Sequence, residues 1–557
     1  MNMGTSRAMA LAAVVLGGAV FACTDTVIEP KSTVTEANIF TDPNSYKAFI
    51  AKVYGGLAVT GQQGPTNQPD IGGLDEGFAE YVRVWWQLNE LPTDEAVVAW
   101  GDPGLPEINS QQWASSNVWV YAMWSRIYFQ VGMANEFLRQ STDAKLASRN
   151  QNDPALITAV HYYRAEARFL RALSYWHLID MFGNGPLATE ADPLGGSPPP
   201  PVARDSIYRF VVSELTAILP DLPAPSAATY GRATPWAAQM LLAHVYLNAA
   251  VYTGTPAYDK ARTAAEAVIN SGVYSLAPAY RNNFLADNNT SPEIIFAVPF
   301  DGQHTQTWGG TTFLVHASCG GAMNNANYGV NGCWWGLRMK LETYQRYQTP
   351  TDSAGDGRAA FFFIPDSALV HGDTTDTNDV KNGTAPTTGI IRQTDTVFSI
   401  SNFHNGIPAP KYSNLTSGGS PGLDGTFPDT DFPMFRLADA YLIYAECVLR
   451  GGGGSTGQAL TYVNQLRDRA FGNTSGDITS GDLTLQFVLD ERSRELLWEG
   501  HRRSDLIRYG QYTGGTYLWS WKGGTRGGVA TDAHLNLYPI PLNELAANPN
   551  MKQNPGY

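Results

Sequence analysis

Residues 156–182 run without a single glycine or proline, and this stretch constrains the fold more than any other. Val160, Tyr163, Ala167 and Leu170 recur at helical spacing, and a second apolar row of Phe169, Leu173 and Trp176 widens the buried face. A helix that is apolar on two flanks needs a neighbour on each. The segment therefore predicts one layer of a helical array, stopped by the breakers Gly183-Asn184-Gly185-Pro186.

The same signal recurs in pairs. Thr234 as N-cap and Pro235 at the first helical position open a helix expected to reach about Tyr252, and its partner spans residues 258–269. Ala261, Ala264, Ala265 and Ala267 let two helices approach closely, the small-residue pattern of a tetratricopeptide hairpin with its repeat of about 34 residues. A second pair covers residues 435–450 and 457–470, and one long helix is expected over 485–509. Further helices are expected near 44–54 and 116–139. Loop-rich tracts lie between them at 62–76, 100–112 and 300–430, with strand-like pieces at 294–298 and 396–400. The fold class is all-α: a tetratricopeptide-like helical-repeat scaffold with a large loop-rich ligand-binding lobe and a few short strands. Function is expected in the loops.

Composition and the N-terminus set the compartment and exclude some partners. Residues 8–22 form a short apolar run after Arg7, too short to span a bilayer, as in a secretory signal. Cys23 follows at once, in the sequence Val20-Phe21-Ala22-Cys23, which resembles the lipobox of bacterial lipoproteins. The expectation is a lipidated Cys23 and anchoring to a membrane by acyl chains, with residues 1–22 removed. A net charge of −14 argues against nucleic acid, whose phosphates need a basic surface. Cys319 and Cys333 bound a Gly/Asn-rich loop and are disulfide candidates in an exported chain, while Cys447, among apolar helix residues, reads as a buried thiol. No metal or cofactor is called for.

Several longer motifs are recognisable together. They are Ala165-Glu-Ala-Arg-Phe-Leu-Arg-Ala-Leu-Ser-Tyr175, Phe435-Arg-Leu-Ala-Asp-Ala-Tyr-Leu-Ile-Tyr-Ala-Glu446, Glu491-Arg-Ser-Arg-Glu-Leu-Leu-Trp-Glu-Gly-His501, Tyr538-Pro-Ile-Pro541 and the closing Gln553-Asn-Pro-Gly-Tyr557. With these the chain resembles the RagB/SusD family of outer-membrane nutrient-binding lipoproteins over nearly its whole mature length. The resemblance implies an N-terminal helical region over 23–230 and a C-terminal domain over 231–557 that includes the lobe 300–430. It also implies capture of oligosaccharides or other nutrients without cleavage, and a SusC-like TonB-dependent transporter as partner.

Sugar rings have apolar faces and many hydroxyls, so a glycan site needs accessible flat aromatics beside directional polar groups. Trp100 and Asp102 qualify, in a region that borders the ligand site in the family. So do Trp308, Trp334 and Trp335, with Asn327, Tyr328 and Asn331 in the same loop. Each ring could instead pack against the scaffold. Trp85, Trp86, Trp113, Trp119 and Trp124 fall in or beside helices and read as core.

Glu491, Glu495 and Glu499, spaced i, i+4, i+8 before His501, invite an enzymatic reading as acid–base groups. Arg492, Arg494, Arg502, Arg503 and Arg508 surround them, so ion-paired carboxylates with lowered pKa values are expected instead, and no catalytic residue is assigned. Asp373, Asp376 and Asp379, and again Asp424, Asp429 and Asp431, cluster in loops but lack the glycine and glutamate of a calcium loop. Two rivals remain. A surface glycoside hydrolase would release product, and its two carboxylates leave no linear signature. A peptide-binding repeat scaffold would be indifferent to Trp100→Ala and Trp334→Ala.

Overall fold

The computed structural model describes residues 39–62, 64–66, 68–321, 323–347, 355–362 and 396–557. Residues 1–22, Cys23 and the acids Asp373, Asp376 and Asp379 lie outside the described residues. The chain divides into two units, residues 1–45 and 46–557. In the first, the Asp42 carboxylate accepts the Asn44 backbone N–H at 2.9 Å, opening helix α1 (Asn44–Ala58), which runs on into the second.

In the second unit, helices pack largely in the order in which the chain makes them. Helix α2 (Tyr81–Glu90) lies on α3 (Val118–Gln140), and α3 on α4 (Pro154–Met181). Then follow α5 (Arg204–Ile218), α6 (Pro235–Leu247) and α7 (Tyr258–Ile269), each against the one before. The starts obey local capping chemistry. Asn117, Asp153 and Thr234 accept backbone N–H groups of the first turns of α3, α4 and α6, and Pro154 and Pro235 occupy first-turn positions where no N–H is needed. Ala237, Ala238 and Ala243 of α6 and Ala261, Ala264 and Ala265 of α7 are buried, and the two helices pack on each other, the close approach that small residues permit. As the two apolar rows require, α4 is flanked by α3 and α5.

The array then skips 167 residue numbers' worth of lobe in one step: α7 packs not on the next segment but on α9 (Leu437–Leu449), which continues to α10 (Thr456–Phe471) and α11 (Leu485–Glu495). Six short strands pair two by two among the described residues. Strand β1 (Val97–Val98) pairs antiparallel with β5 (Leu337–Arg338), β2 (Gly185–Pro186) with β3 (Pro201–Val202), and β4 (Ile294–Val298) with β6 (Phe432–Arg436). The β4–β6 pair forms the neck through which the lobe leaves and re-enters the scaffold.

Three expectations need correction. Residues 485–509 are not one helix: α11 ends at Glu495 and α12 (Arg502–Arg508) begins afresh. Between them Trp498 and Gly500 take positive φ of 59° and 82°. The carbonyls freed there bind side chains instead: Trp498 C=O accepts from Trp86 Nε1 at 2.8 Å and Tyr412 Oη at 3.1 Å, and Leu497 C=O from Lys411 Nζ at 2.5 Å. Tertiary side-chain bonds thus satisfy the carbonyls that a continuous helix would have used in its ladder. Residues 396–400 form no strand, because the Ser399 N–H goes to the Asn405 side chain and the Ile400 carbonyl to Arg338. The helix expected from Thr234 to about Tyr252 ends at Leu247, and a separate short helix covers Ala249–Thr253. Within the loop-rich 300–430 tract lies the fully buried helix α8 (Gly310–Ala317), packed on α2.

Buried charge locks the neck. Arg436, 1% exposed, donates to Glu293, Glu495 and Glu499 at 2.6–2.9 Å. Arg358 binds Glu491 and Glu495, Arg469 binds Glu293 and Glu495, and Lys411 binds Glu499. Against a desolvation cost that raises them, the surrounding guanidinium groups hold Glu495 well below the usual carboxylate range and Glu491 at about 2. The acidic row is thus ion-paired, and Glu491 and Glu495 are held in the charged form by their guanidinium partners.

Candidate functional site

The site begins at the start of α2. The Glu80 carboxylate accepts the backbone N–H groups of Val82 and Arg83 at 2.8 and 2.7 Å, capping the helix, and that of Gly310 at 2.7 Å. One side chain therefore fixes α2 against the start of α8. Burial pushes its pKa up to about 7. Gly309 is required beside it, because a Cβ there would collide with the Glu80 side chain.

Arg83, three residues on, is 7% exposed and organises the rings. It donates to Gly77 C=O at 2.7 Å and Trp308 C=O at 2.9 Å. Its guanidinium carbon lies 5.6 Å from the Trp100 ring and 4.6 Å from the Phe313 ring, a cation–π arrangement. Burial lowers its pKa to about 10, so it is charged at neutral pH, with Asp102, Glu80 and Asp75 supporting the charge.

Over this foundation opens a cleft of about 560 Å³. Phe78, Trp308 and Trp334 present rings to it, Asp75, Asp102 and Arg83 present charge, and Val118 and Trp119 form its wall. The Trp308 and Trp334 rings lie 6.0 Å apart at 54°, and His316 stacks behind Trp334 at 4.6 Å and 19°. A disulfide joins Cys319 to Cys333, and the Trp334 N–H donates to His316 C=O at 2.8 Å. The segment carrying Trp334 is thereby pinned to α8 and the residues just after it. Apolar faces ringed by donors and acceptors suit a neutral, hydroxyl-rich ligand.

Of the candidates read from sequence, the structure brings Asp102, Trp308 and Trp334 into the cleft. Trp100 sits behind it, its Nε1 donating to Trp334 C=O at 3.0 Å, and serves as a support. Trp335 is 44% exposed and points elsewhere, beside Phe403 and His404. Asn331 donates to Thr426 Oγ1 at 2.7 Å and does not line the cleft. Asn327 and Tyr328 lie in the turn Asn325–Tyr328, where Tyr328 is buried and its carbonyl accepts from Asn414. Trp85, Trp86, Trp113, Trp119 and Trp124 are all buried.

Asp75, Phe78, Arg83 and Val118 were not singled out from sequence. Only Arg83 left a trace, as the lone charge in the apolar segment Tyr81-Val-Arg-Val-Trp-Trp86. The acids of the 424–431 loop serve the backbone: Asp424 accepts from Thr426 and Phe427, and Asp429 from Gly302 and Leu423. Asp431 differs from Asp424 and Asp429 in its surroundings. It is buried, accepts from Phe300 N–H and Tyr230 Oη, and burial raises it to about 7.

Comparison with known proteins places the chain in a family. Residues 292–557 match the model of the SusD family, and residues 86–247 match one described as starch-binding associating with outer membrane. The starch-binding protein SusD of Bacteroides thetaiotaomicron is 34% identical over 98% of both chains. A SusD superfamily protein of the same organism superposes with a TM-score of 0.67 at 20% identity, covering 92% of this chain and 99% of that one. Its surface glycan-binding protein A, solved in complex with laminarihexaose, gives 0.66 at 21% identity over 91% and 98%. On a full-length relative of this identity, with a matching helical scaffold, the chain belongs to the SusD family.

Proposed function

We propose that this protein binds a glycan in the Trp308–Trp334 cleft without cleaving it. The finer reading is that it does so as a lipoprotein anchored through Cys23 in the outer membrane, exposed at the cell surface, and passes the ligand to a SusC-like TonB-dependent transporter. The observation that carries the first part is the cleft itself: three accessible rings flanked by Asp75, Asp102 and Arg83, on a rigid, disulfide-pinned frame. A relative named as starch-binding, and a fold neighbour solved with laminarihexaose, support it. Trp308 and Trp334 would stack on sugar faces, Asp102 would accept from hydroxyls, and Arg83 would donate.

A hydrolase needs a general acid kept protonated by an apolar setting, opposite a second carboxylate. Neither cleft acid is so placed. Asp75 is exposed and accepts the N–H groups of Gly77 and Phe78 at 2.7 and 3.1 Å, and Asp102 is exposed beside the Arg83 charge. Affinity electrophoresis of the soluble chain in gels containing starch, laminarin or other polysaccharides tests the proposal. Retardation by at least one, lost in Trp308→Ala, is expected. Unretarded migration throughout, or retardation unaffected by Trp308→Ala and Trp334→Ala together, would refute it.

A further inference from the structure

A second groove runs along the same helix. It holds about 390 Å³ and is lined by Tyr121, Trp124, Ser125 and Tyr128 of α3, by Pro198 and Pro199, and by the helix Leu542–Ala547. At 3.6 residues per turn, positions 121, 125 and 128 share one face of α3, and that face also carries Val118. Val118 lines the first cleft and is 40% exposed. Leu542, 54% exposed, is tied to the same turn because its N–H donates to Ser115 C=O at 2.9 Å. One face of α3 therefore runs from the first cleft at Val118 to the second groove at Tyr121, with the exposed Leu542 held near the start of that helix.

The groove is built as well as open. Trp124 Nε1 donates to Glu544 at 3.3 Å, Tyr128 Oη to Pro186 C=O at 3.0 Å, and Asn548 Nδ2 to Pro199 C=O at 3.2 Å, so floor and walls are fixed. In contrast, the Tyr121 and Ser125 hydroxyls and the Asn543 amide make no hydrogen bond among the described residues. Rings alternating with uncommitted polar groups repeat the chemistry of the first cleft, and among the lining residues only Glu544 is charged.

We infer that the groove is an extension subsite for the same class of ligand: a long, neutral glycan that leaves the Trp308–Trp334 cleft, crosses Val118 and Leu542, and stacks on Tyr121. The inference rests on the glycan reading of the first cleft. From Val118 to Tyr128 the helix advances about 15 Å, so only a chain of several sugar units reaches both. The protein would thus prefer polymers to short fragments, since the second contact becomes intramolecular once the first is made.

Calorimetry with linear maltooligosaccharides and laminarioligosaccharides of roughly three and roughly ten units tests this, the longer chain being expected to bind at least about tenfold tighter. Tyr121→Ala should weaken the longer chain about fivefold, the loss of one ring contact, and leave the shorter unchanged. Ser125→Arg, which fills the groove from an accessible position, should do the same, and unchanged melting of either variant shows that the fold is intact. Affinity independent of chain length, or binding of the long chain by both variants as tight as by the wild type, overturns the inference while the first cleft stands. Binding of a proline-rich peptide that Ser125→Arg abolishes, with long-glycan binding unchanged, also overturns it. No heat from any glycan, in wild type, would fell the first cleft and this subsite together.

Discussion

Replacing Arg436 with methionine probes the clamp at the neck of the lobe. The guanidinium makes five hydrogen bonds: two to Glu499, one each to Glu293 and the Glu495 carboxylate, and one to the Glu495 carbonyl, at 2.6–2.9 Å. Removing one partner of a buried ion pair costs about 3–5 kcal/mol, because the other charge stays buried and uncompensated. Here Glu293 and Glu495 keep Arg469, Glu495 also keeps Arg358, and Glu499 keeps Lys411. The loss should therefore fall at the lower end, about 3 kcal/mol. Linkage adds a signature. A carboxyl whose folded pKa is depressed contributes stability that is present above its unfolded value and lost as pH falls towards the folded one. Glu495 is depressed largely by Arg469, Arg436 and Arg358, so without Arg436 its folded pKa rises and acid unfolding begins at a higher pH. Urea titration at neutral pH gives the first quantity and an acid titration the second. A loss below about 1 kcal/mol with an unshifted acid midpoint would show that the network does not hold the neck.

Further outcomes follow from single contacts. Removing the disulfide as Cys319→Ser with Cys333→Ser should cost about 3 kcal/mol for a loop of this length, and should weaken glycan binding as well, read by melting and calorimetry with and without reductant. Asp431, raised to about 7 by burial, has the opposite linkage sign to Glu495: its share of stability is present below the unfolded carboxyl value and is lost as pH rises towards 7, at most about 4 kcal/mol. Asp431→Asn, which can still face Phe300 N–H and Tyr230, should flatten that fall in melts between about pH 4 and pH 8. Gly309→Ala should destabilise by about 1–3 kcal/mol and weaken ligand binding in parallel, because the added methyl pushes against Glu80 and so against both Arg83 and Trp308.

The scaffold was legible because its signals are local. Alanines at 261, 264 and 265, the Thr234-Pro235 start and the long apolar rows of α4 act within a few turns of helix. The break at Trp498 was not, since nothing in Leu496-Leu-Trp-Glu-Gly-His501 except one glycine opposes a helix. What opposes it is Lys411, Trp86 and Tyr412, far away in sequence. Strands β1 and β5 are two residues each and have no period to read. At the cleft, composition pointed to tryptophans in glycine-rich loops, which found Trp308 and Trp334. It could not separate these from the neighbouring Trp335, whose positive φ of 54° turns its ring towards Phe403 and His404, nor find Arg83 inside an apolar helix. Which ring faces solvent depends on the disulfide and on α8, and neither leaves a periodic mark.

The account's central claim is capture without chemistry at the Trp308–Trp334 cleft. Its most direct test is calorimetry of the chain begun at Thr24 against the polysaccharide that retards it, with the cell contents afterwards analysed for released sugar. Saturable heat, loss of that heat in Trp334→Ala, and no new reducing ends are predicted. Released oligosaccharide that disappears in Asp75→Asn or Asp102→Asn would contradict it.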